Sequence, residues 1–178
     1  MKKVVWTFGL IAGGVLSAMM LLTLPFHDQI GFDKGLIIGY TTMVLAFLMV
    51  FFGVRSYRDN VAGGSVTFGR ALTVGLLITV VASCCYVATW ELVYYGLAPD
   101  FSEKLAANAF EHSIENAKKS GASEADIAVQ LKKIEDSKEM YKKPLVNIAF
   151  TFIEPLPVGL LITFVTAGVL SRRRRTAS

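Results

Sequence analysis

Four long apolar stretches constrain this chain more than any other feature. Val4–Phe26 runs 23 residues without a charge, Gly35–Val54 runs 20, and Ala71–Trp90 another 20. Pro144–Leu170 runs 27, interrupted only by Glu154. A helix needs about 20 mostly apolar residues to cross the hydrocarbon of a bilayer. Each run is roughly twice the length of a barrel strand, and lipid tolerates no unpaired backbone, so helix is the expected form. The expectation is an all-α membrane protein, one integral domain over residues 1–178. Its spans fall at about 4–26, 35–54, 71–92 and 147–171.

Composition agrees. The chain is 53% hydrophobic before its 15 glycines are counted and 18% charged, against about 25% charged in soluble domains. The charges also cluster, with 17 of them in residues 96–143. That pattern excludes a soluble globule, a disordered chain and a disulfide-stapled secreted domain. It leaves a membrane protein with one polar insertion. The first run exceeds the roughly 7–15-residue core of a secretory signal and is not closed by a small-x-small site, so it is read as a span.

Lysine and arginine near the span ends set orientation. Lys2, Lys3, Arg55, Arg58, Arg70 and Arg172–Arg175 all fall on one side, opposed there by Asp59 alone. The reading places both termini in the cytoplasm and residues 97–143 outside, as an extracytoplasmic helical hairpin between helices 3 and 4. The eight lysines of the insertion are offset by nine acids. Charge in long translocated loops also carries less weight. The basic tail then reads as a topology signal able to touch anionic lipid, with no nucleic acid implied.

Lipid gives helices no hydrophobic reason to associate, so small residues that permit close approach matter most. They recur every four residues: Gly9, Gly13 and Ser17; Gly31, Gly35 and Gly39; Ala71, Gly75, Thr79 and Ser83; Gly159, Thr163 and Ala167. Each set makes one narrow stripe, and the four stripes predict a compact four-transmembrane-helix bundle. In the insertion, Asp100 with Glu103 and Ser123 with Asp126 have capping-box spacing, and Gly121 separates two helices. Ile127, Leu131, Ile134, Tyr141 and Leu145 form one apolar stripe, while Phe101, Leu105, Phe110 and Ile114 form a weaker one. Such stripes meet each other, lie on the membrane surface or bind a partner. The second runs toward span four, so one nearly continuous helix is expected from about Ser123 to about Ser171, bent around Glu154–Pro157.

Candidates for chemistry are few. Glu154 precedes Pro155 and Pro157, each of which removes a backbone donor and favours a break. Eighteen residues from Arg172, or about 27 Å along a helix, it falls near the outer interface rather than the midplane. Glu91 comes to a similar level, and His27 and Asp28 arrive there on the first loop. One polar cluster of Glu91, Glu154, His27 and Asp28 would suit a cation, a proton or a polar headgroup. The simpler alternative is a set of solvated interfacial carboxylates, with Trp6, Trp90, Tyr94 and Tyr95 as belt anchors. Gly63-Gly64 makes a turn and Thr67 can cap span three. Arg55, Arg58 and Arg70 beside that turn are candidate lipid-phosphate contacts. The two histidines lack ligand spacing, and Cys84-Cys85 reads as a reduced packing pair. No nucleophile–base set, phosphate loop or cofactor fingerprint is present.

The run Tyr57-Arg58-Asp59, then Gly63-Gly64, Phe68-Gly69, Ala71 and Gly75-Leu76-Leu77-Ile78-Thr79, resembles the bacterial membrane family known as domain of unknown function 4199. Pro157-Val158-Gly159-Leu160-Leu161-Ile162, followed by the basic end, resembles that family's last helix. The resemblance covers nearly the whole chain. It implies a four-span protein of the bacterial inner membrane and carries over no catalytic or binding residue. The function expected is non-enzymatic, through lipid contacts or an envelope protein partner bound at residues 100–143, with or without homo-oligomerisation. The alternative is transport of a cation or small polar solute by an oligomer using Glu154 and Glu91.

Overall fold

Every regular element among the described residues is helical. The computed structural model describes residues 1–98, 104, 111–117, 119, 121 and 123–171, with His27, Asp28, Phe32, Glu124, Lys138 and Tyr141 described by backbone alone. Helix α1 spans Lys2–Thr23 and passes through a 3-10 turn, Leu24–Phe26, into the one-turn helix His27–Ile30. Helix α2 is Phe32–Asn60 and α3 is Phe68–Leu92, the latter ending in a π turn at Val93–Leu97. Helices α4 (Glu124–Tyr141), α5 (Pro144–Ile153) and α6 (Leu156–Leu170) complete the chain. Four stretches are long and apolar enough to cross a membrane: Lys2–Phe26, Asp33–Asn60, Phe68–Leu97 and Pro144–Leu170.

Helix α2 outruns its apolar segment by more than one and a half turns because nothing in Arg55–Asn60 breaks a helix. Cations in the last turn also favour its negative end. It stops where Gly63 (φ 68°) and Gly64 (φ 85°) take left-handed backbone, which side chains with a Cβ adopt only at a cost. Thr67 then caps α3, its Oγ1 accepting from the Arg70 N–H at 3.4 Å.

Helix α1 packs on α2 and α3, and α6 packs on the same two helices from another side. Phe47, Val50 and Val54 of α2, Val74 and Ile78 of α3, and Ala12 of α1 are buried between them. Polar residues are also inside: Thr79, Ser83, Thr163 and Asn147 are at most 1% exposed, while Leu22, Ile37 and Leu161 are each at least 65% exposed. This inverts the soluble pattern and suits a lipid-facing exterior.

Three of the four small-residue stripes are packing surfaces. A Cβ on Gly9 would lie 2.7 Å from Val81 Cβ, and one on Gly13 would lie 2.5 Å from Cys85 Cβ. Ser17 completes that line, accepting from Thr89 Oγ1 at 2.7 Å. The matched steps of four along both chains make α1 and α3 parallel neighbours. Across α3 and α6, Gly75 faces Thr163, Gly159 faces Thr79, and the two threonine hydroxyls are 3.3 Å apart. There the order is reversed, so α3 and α6 are antiparallel. The stripe of Gly31, Gly35 and Gly39 departs from expectation. Among the described residues, no other side chain or helix stands within 4 Å of a Cβ built on Gly31 or Gly39, and only Ile30 Cγ2 reaches that of Gly35, at 4.0 Å. No described span closes on these glycines.

The long helix expected from Ser123 to Ser171 is broken twice rather than bent once. The bend at Glu154-Pro155 is present, and 144–153 is helical throughout. A second break falls at Lys142-Lys143, where Lys143 is extended (φ −81°, ψ 118°) and Pro144 opens α5 at its first turn. Proline crowds the preceding residue out of helical backbone, which makes Pro144 a start rather than a passenger. The apolar stripe ends there too: Ile127, Leu131 and Ile134 are half-buried, but Leu145 is 81% exposed.

The Ser123–Asp126 capping box is formed, with Asp126 N–H to Ser123 Oγ at 3.2 Å and Ser123 N–H to Asp126 Oδ2 at 3.3 Å. Gly121 sits in a turn at φ 70°. Residues 111–117 are helical. His112 Nε2 there lies 2.7 Å from Asp33 Oδ1 at the start of α2. The expected cap at Asp100 and Glu103, the stripe residues Phe101, Leu105 and Phe110, and Arg172–Arg175 lie outside the described residues.

Candidate functional site: an apolar cleft walled by Glu154

The proline break divides the fourth apolar stretch into two helices with different neighbours. Helix α6 packs on both α2 and α3, whereas α5 packs on α3. A cleft of about 470 Å³ opens beside α5, at the end of the bundle that leads into the insertion. Its walls are Leu16, Met19 and Met20 of α1, Gly35, Gly39 and Met43 of α2, and Tyr86 and Trp90 of α3, with Thr151 and Glu154 from the fourth stretch. The open glycine stripe of α2 is therefore a cleft wall. Its volume falls within the roughly 300–1,000 Å³ typical of small-molecule sites.

Thr23, Tyr40 and Thr42 also line the cleft, and a linked set of polar groups lies where α3 meets the fourth stretch. Tyr86 donates its hydroxyl to Glu154 Oε2 at 3.0 Å. Just over one turn along α3, Trp90 Nε1 donates to Asn147 Oδ1 at 2.8 Å, and Thr151 Oγ1 donates to the same oxygen at 3.2 Å. Asn147 is wholly buried, and its Nδ2 has no hydrogen-bond partner among the described residues. Among the described residues lining the cleft, none is Lys, Arg or His.

The two cross-helix pairs set the direction and approximate register of the contact. Tyr86 reaches Glu154 and Trp90 reaches Asn147, so Glu91, five residues beyond Tyr86, lies about 7.5 Å further along α3 than the residue that meets Glu154, at 1.5 Å per residue. Glu91 is not among the described residues lining the cleft; its Oε1 is buried without a hydrogen-bond partner among the described residues. The structure gives Glu154 to the cleft and places Glu91 on another face of α3. His27 and Asp28 occupy the one-turn helix next to the cleft residue Ile30; their side chains lie outside the described residues.

Sequence reasoning did not single out Tyr86, Asn147 or Thr151. A signal existed. Asn147, Thr151 and Glu154 fall at i, i+4 and i+7, one helical face of polar residues in an apolar stretch, and Tyr86, Trp90 and Val93 repeat the spacing on α3. Trp90, read as a belt anchor, instead donates to a buried amide; Trp6 is 58% exposed.

At the opposite end, Arg55, Arg58 and Arg70 line a broad depression formed by the Gly63-Gly64 turn and Ser171. Asp59 engages two of them, at 2.7 Å from Arg58 Nε and 3.6 Å from Arg55 Nε. The remaining positive excess suits a phosphate-bearing surface. Cys85 packs against Gly13, and Cys84 is exposed with a free thiol.

Comparison with curated proteins gave no match, and comparison with solved structures gave none. The family model described as protein of unknown function (DUF4199) matches residues 7–172. That span takes in all four apolar helices, the cleft and nearly the whole chain, and the chain belongs to that family.

Proposed function

We propose that this is a non-enzymatic, multi-pass protein of the bacterial inner membrane whose task is to hold a lipid or other apolar molecule in the cleft between α1, α2, α3 and α5. The observation that carries the reading is the open Gly35–Gly39 face. It uses the same spacing that closes the other helix contacts, yet it borders about 470 Å³ of apolar space. The distribution of lysine and arginine supports cytoplasmic termini and an extracytoplasmic insertion, which puts the cleft in the outer leaflet. The arginine depression then faces anionic headgroups of the inner leaflet. Residues 100–143 remain a surface for an envelope partner, and homo-oligomerisation is compatible with the apolar exterior.

Transport of a cation or polar solute is the second reading, favoured by the helix broken at Glu154, since interrupted helices line many transporter sites. The register weakens the two-carboxylate version, because Glu91 stands away from the cleft.

The test is photolabelling in vesicles containing a diazirine-tagged phospholipid, with labelled residues mapped by mass spectrometry. Labels on Met19, Met20 and Met43 that vanish in Gly39→Leu are expected. Labelling confined to outward residues such as Leu22 and Leu161, and unchanged by Gly39→Leu, would overturn the proposal.

A further inference from the structure

The cleft has a polar side as well as apolar walls, and its chemistry narrows the occupant. Glu154 Oε2 accepts from Tyr86, while no hydrogen bond to Oε1 occurs among the described residues. Glu154 is exposed and lines the cleft, so its second oxygen is open to an incoming donor. A carboxylate with a spare lone-pair oxygen matches a donor carrying positive charge, which gives a shorter and stronger bond than a neutral one. The described residues lining the cleft include no basic side chain to fill that role. Away from Glu154 the walls are mostly leucine, isoleucine, methionine and glycine, with the hydroxyls of Thr23, Tyr40 and Thr42 among them, and they suit an apolar tail.

We propose that the cleft takes a protonated primary amine joined to a long apolar tail, its ammonium on Glu154 and its tail along the Gly35–Gly39 face. This rests on the cleft reading above. Tyr86 is a positioning residue: its hydroxyl fixes one carboxylate oxygen and turns the other toward the amine. Two sources share this chemistry, the headgroup of a membrane aminophospholipid and a free lipophilic amine.

The test uses protein reconstituted in phosphatidylcholine vesicles, with tritiated hexadecylamine as the probe and tritiated hexadecanol as its neutral counterpart. Wild-type protein is expected to prefer the amine. Glu154→Gln, which keeps an acceptor for Tyr86, should weaken amine binding roughly tenfold, the scale of a charge-assisted hydrogen bond, and leave hexadecanol binding unchanged. That unchanged binding also shows that the variant is folded. Gly39→Leu should abolish both. Competition by phosphatidylethanolamine, but not by its N-acetylated form, would identify the lipid as the source; amine binding without such competition would identify a free amine. Equal amine binding by wild type and Glu154→Gln, with Gly39→Leu still blocking, would overturn the amine inference and spare the cleft. Binding of both probes unaffected by Gly39→Leu would overturn the cleft reading itself.

Discussion

Gly75 and Gly159 sit where α3 meets α6, and each has a threonine methyl of the other helix in the space its own Cβ would take. Gly35 and Gly39 keep the same four-residue step on α2, and among the described residues no other spanning helix enters their space. The difference lies in what stands opposite. Helix α6 presents Gly159 and Thr163 to α3 without interruption, so two narrow surfaces close on each other. Opposite the Gly35–Gly39 face the fourth stretch has already broken at Glu154-Pro155, and its upper half, α5, follows α3. A small-residue stripe is therefore a permission for close approach. Whether it becomes a contact or a cleft depends on the partner's backbone.

The largest effect is expected at the closed contact. Leucine at Gly75 or Gly159 must push apart backbones held by a threonine on each side, and overpacking of this kind costs about 1–3 kcal/mol or more. Steric-trapping or denaturant unfolding in bicelles should register it, and a neutral result would break the comparison at its firm side. Next comes Asn147→Leu, which takes the acceptor from Trp90 Nε1 and Thr151 Oγ1. Losing a partner to a buried donor costs roughly 1–3 kcal/mol, and Trp90 fluorescence should shift with it. If stability and emission both stay fixed, the register of α5 on α3 is not as described. A smaller loss, about 0.6 kcal/mol as for typical hydrogen bonds between membrane helices, is expected for Thr79→Val, which keeps the methyl packing and removes the 3.3 Å hydroxyl pair. The smallest belongs to Gly39→Ala, within about 0.5 kcal/mol of wild type, as for substitutions touching no special feature.

Much of this architecture was legible beforehand, because membrane spans are written in length and hydropathy and caps in a few polar residues. The four spans, the caps at Thr67 and Ser123, the Gly63-Gly64 turn and the break at Glu154 all follow from local rules that need no partner. What stayed hidden depended on partners. Pro144 reads as one apolar residue in a run of 27 until its effect on Lys143 is weighed, and so the second break was missed. Gly31, Gly35 and Gly39 are indistinguishable by spacing from the stripes that pack. Glu91 and Glu154 come to similar levels when counted from the charges, whereas the pair Tyr86–Glu154 sets Glu91 more than a helical turn further along α3. A side chain's neighbours across a bundle are decided by rotation and register, which one sequence does not encode locally.

The most direct measurement pairs stability with occupancy in two matched variants. Gly39→Leu and Gly159→Leu add the same side chain to the same kind of stripe in the same bilayer. In vesicles bearing the diazirine phospholipid, Gly39→Leu should melt within about 2 °C of wild type, a shift under 1 kcal/mol, while losing the label at Met19, Met20 and Met43. Gly159→Leu should melt far lower or fail to assemble. If Gly39→Leu destabilises the protein as much as Gly159→Leu does, or keeps its label in full, the Gly35–Gly39 face is not the wall of an open, occupied cleft.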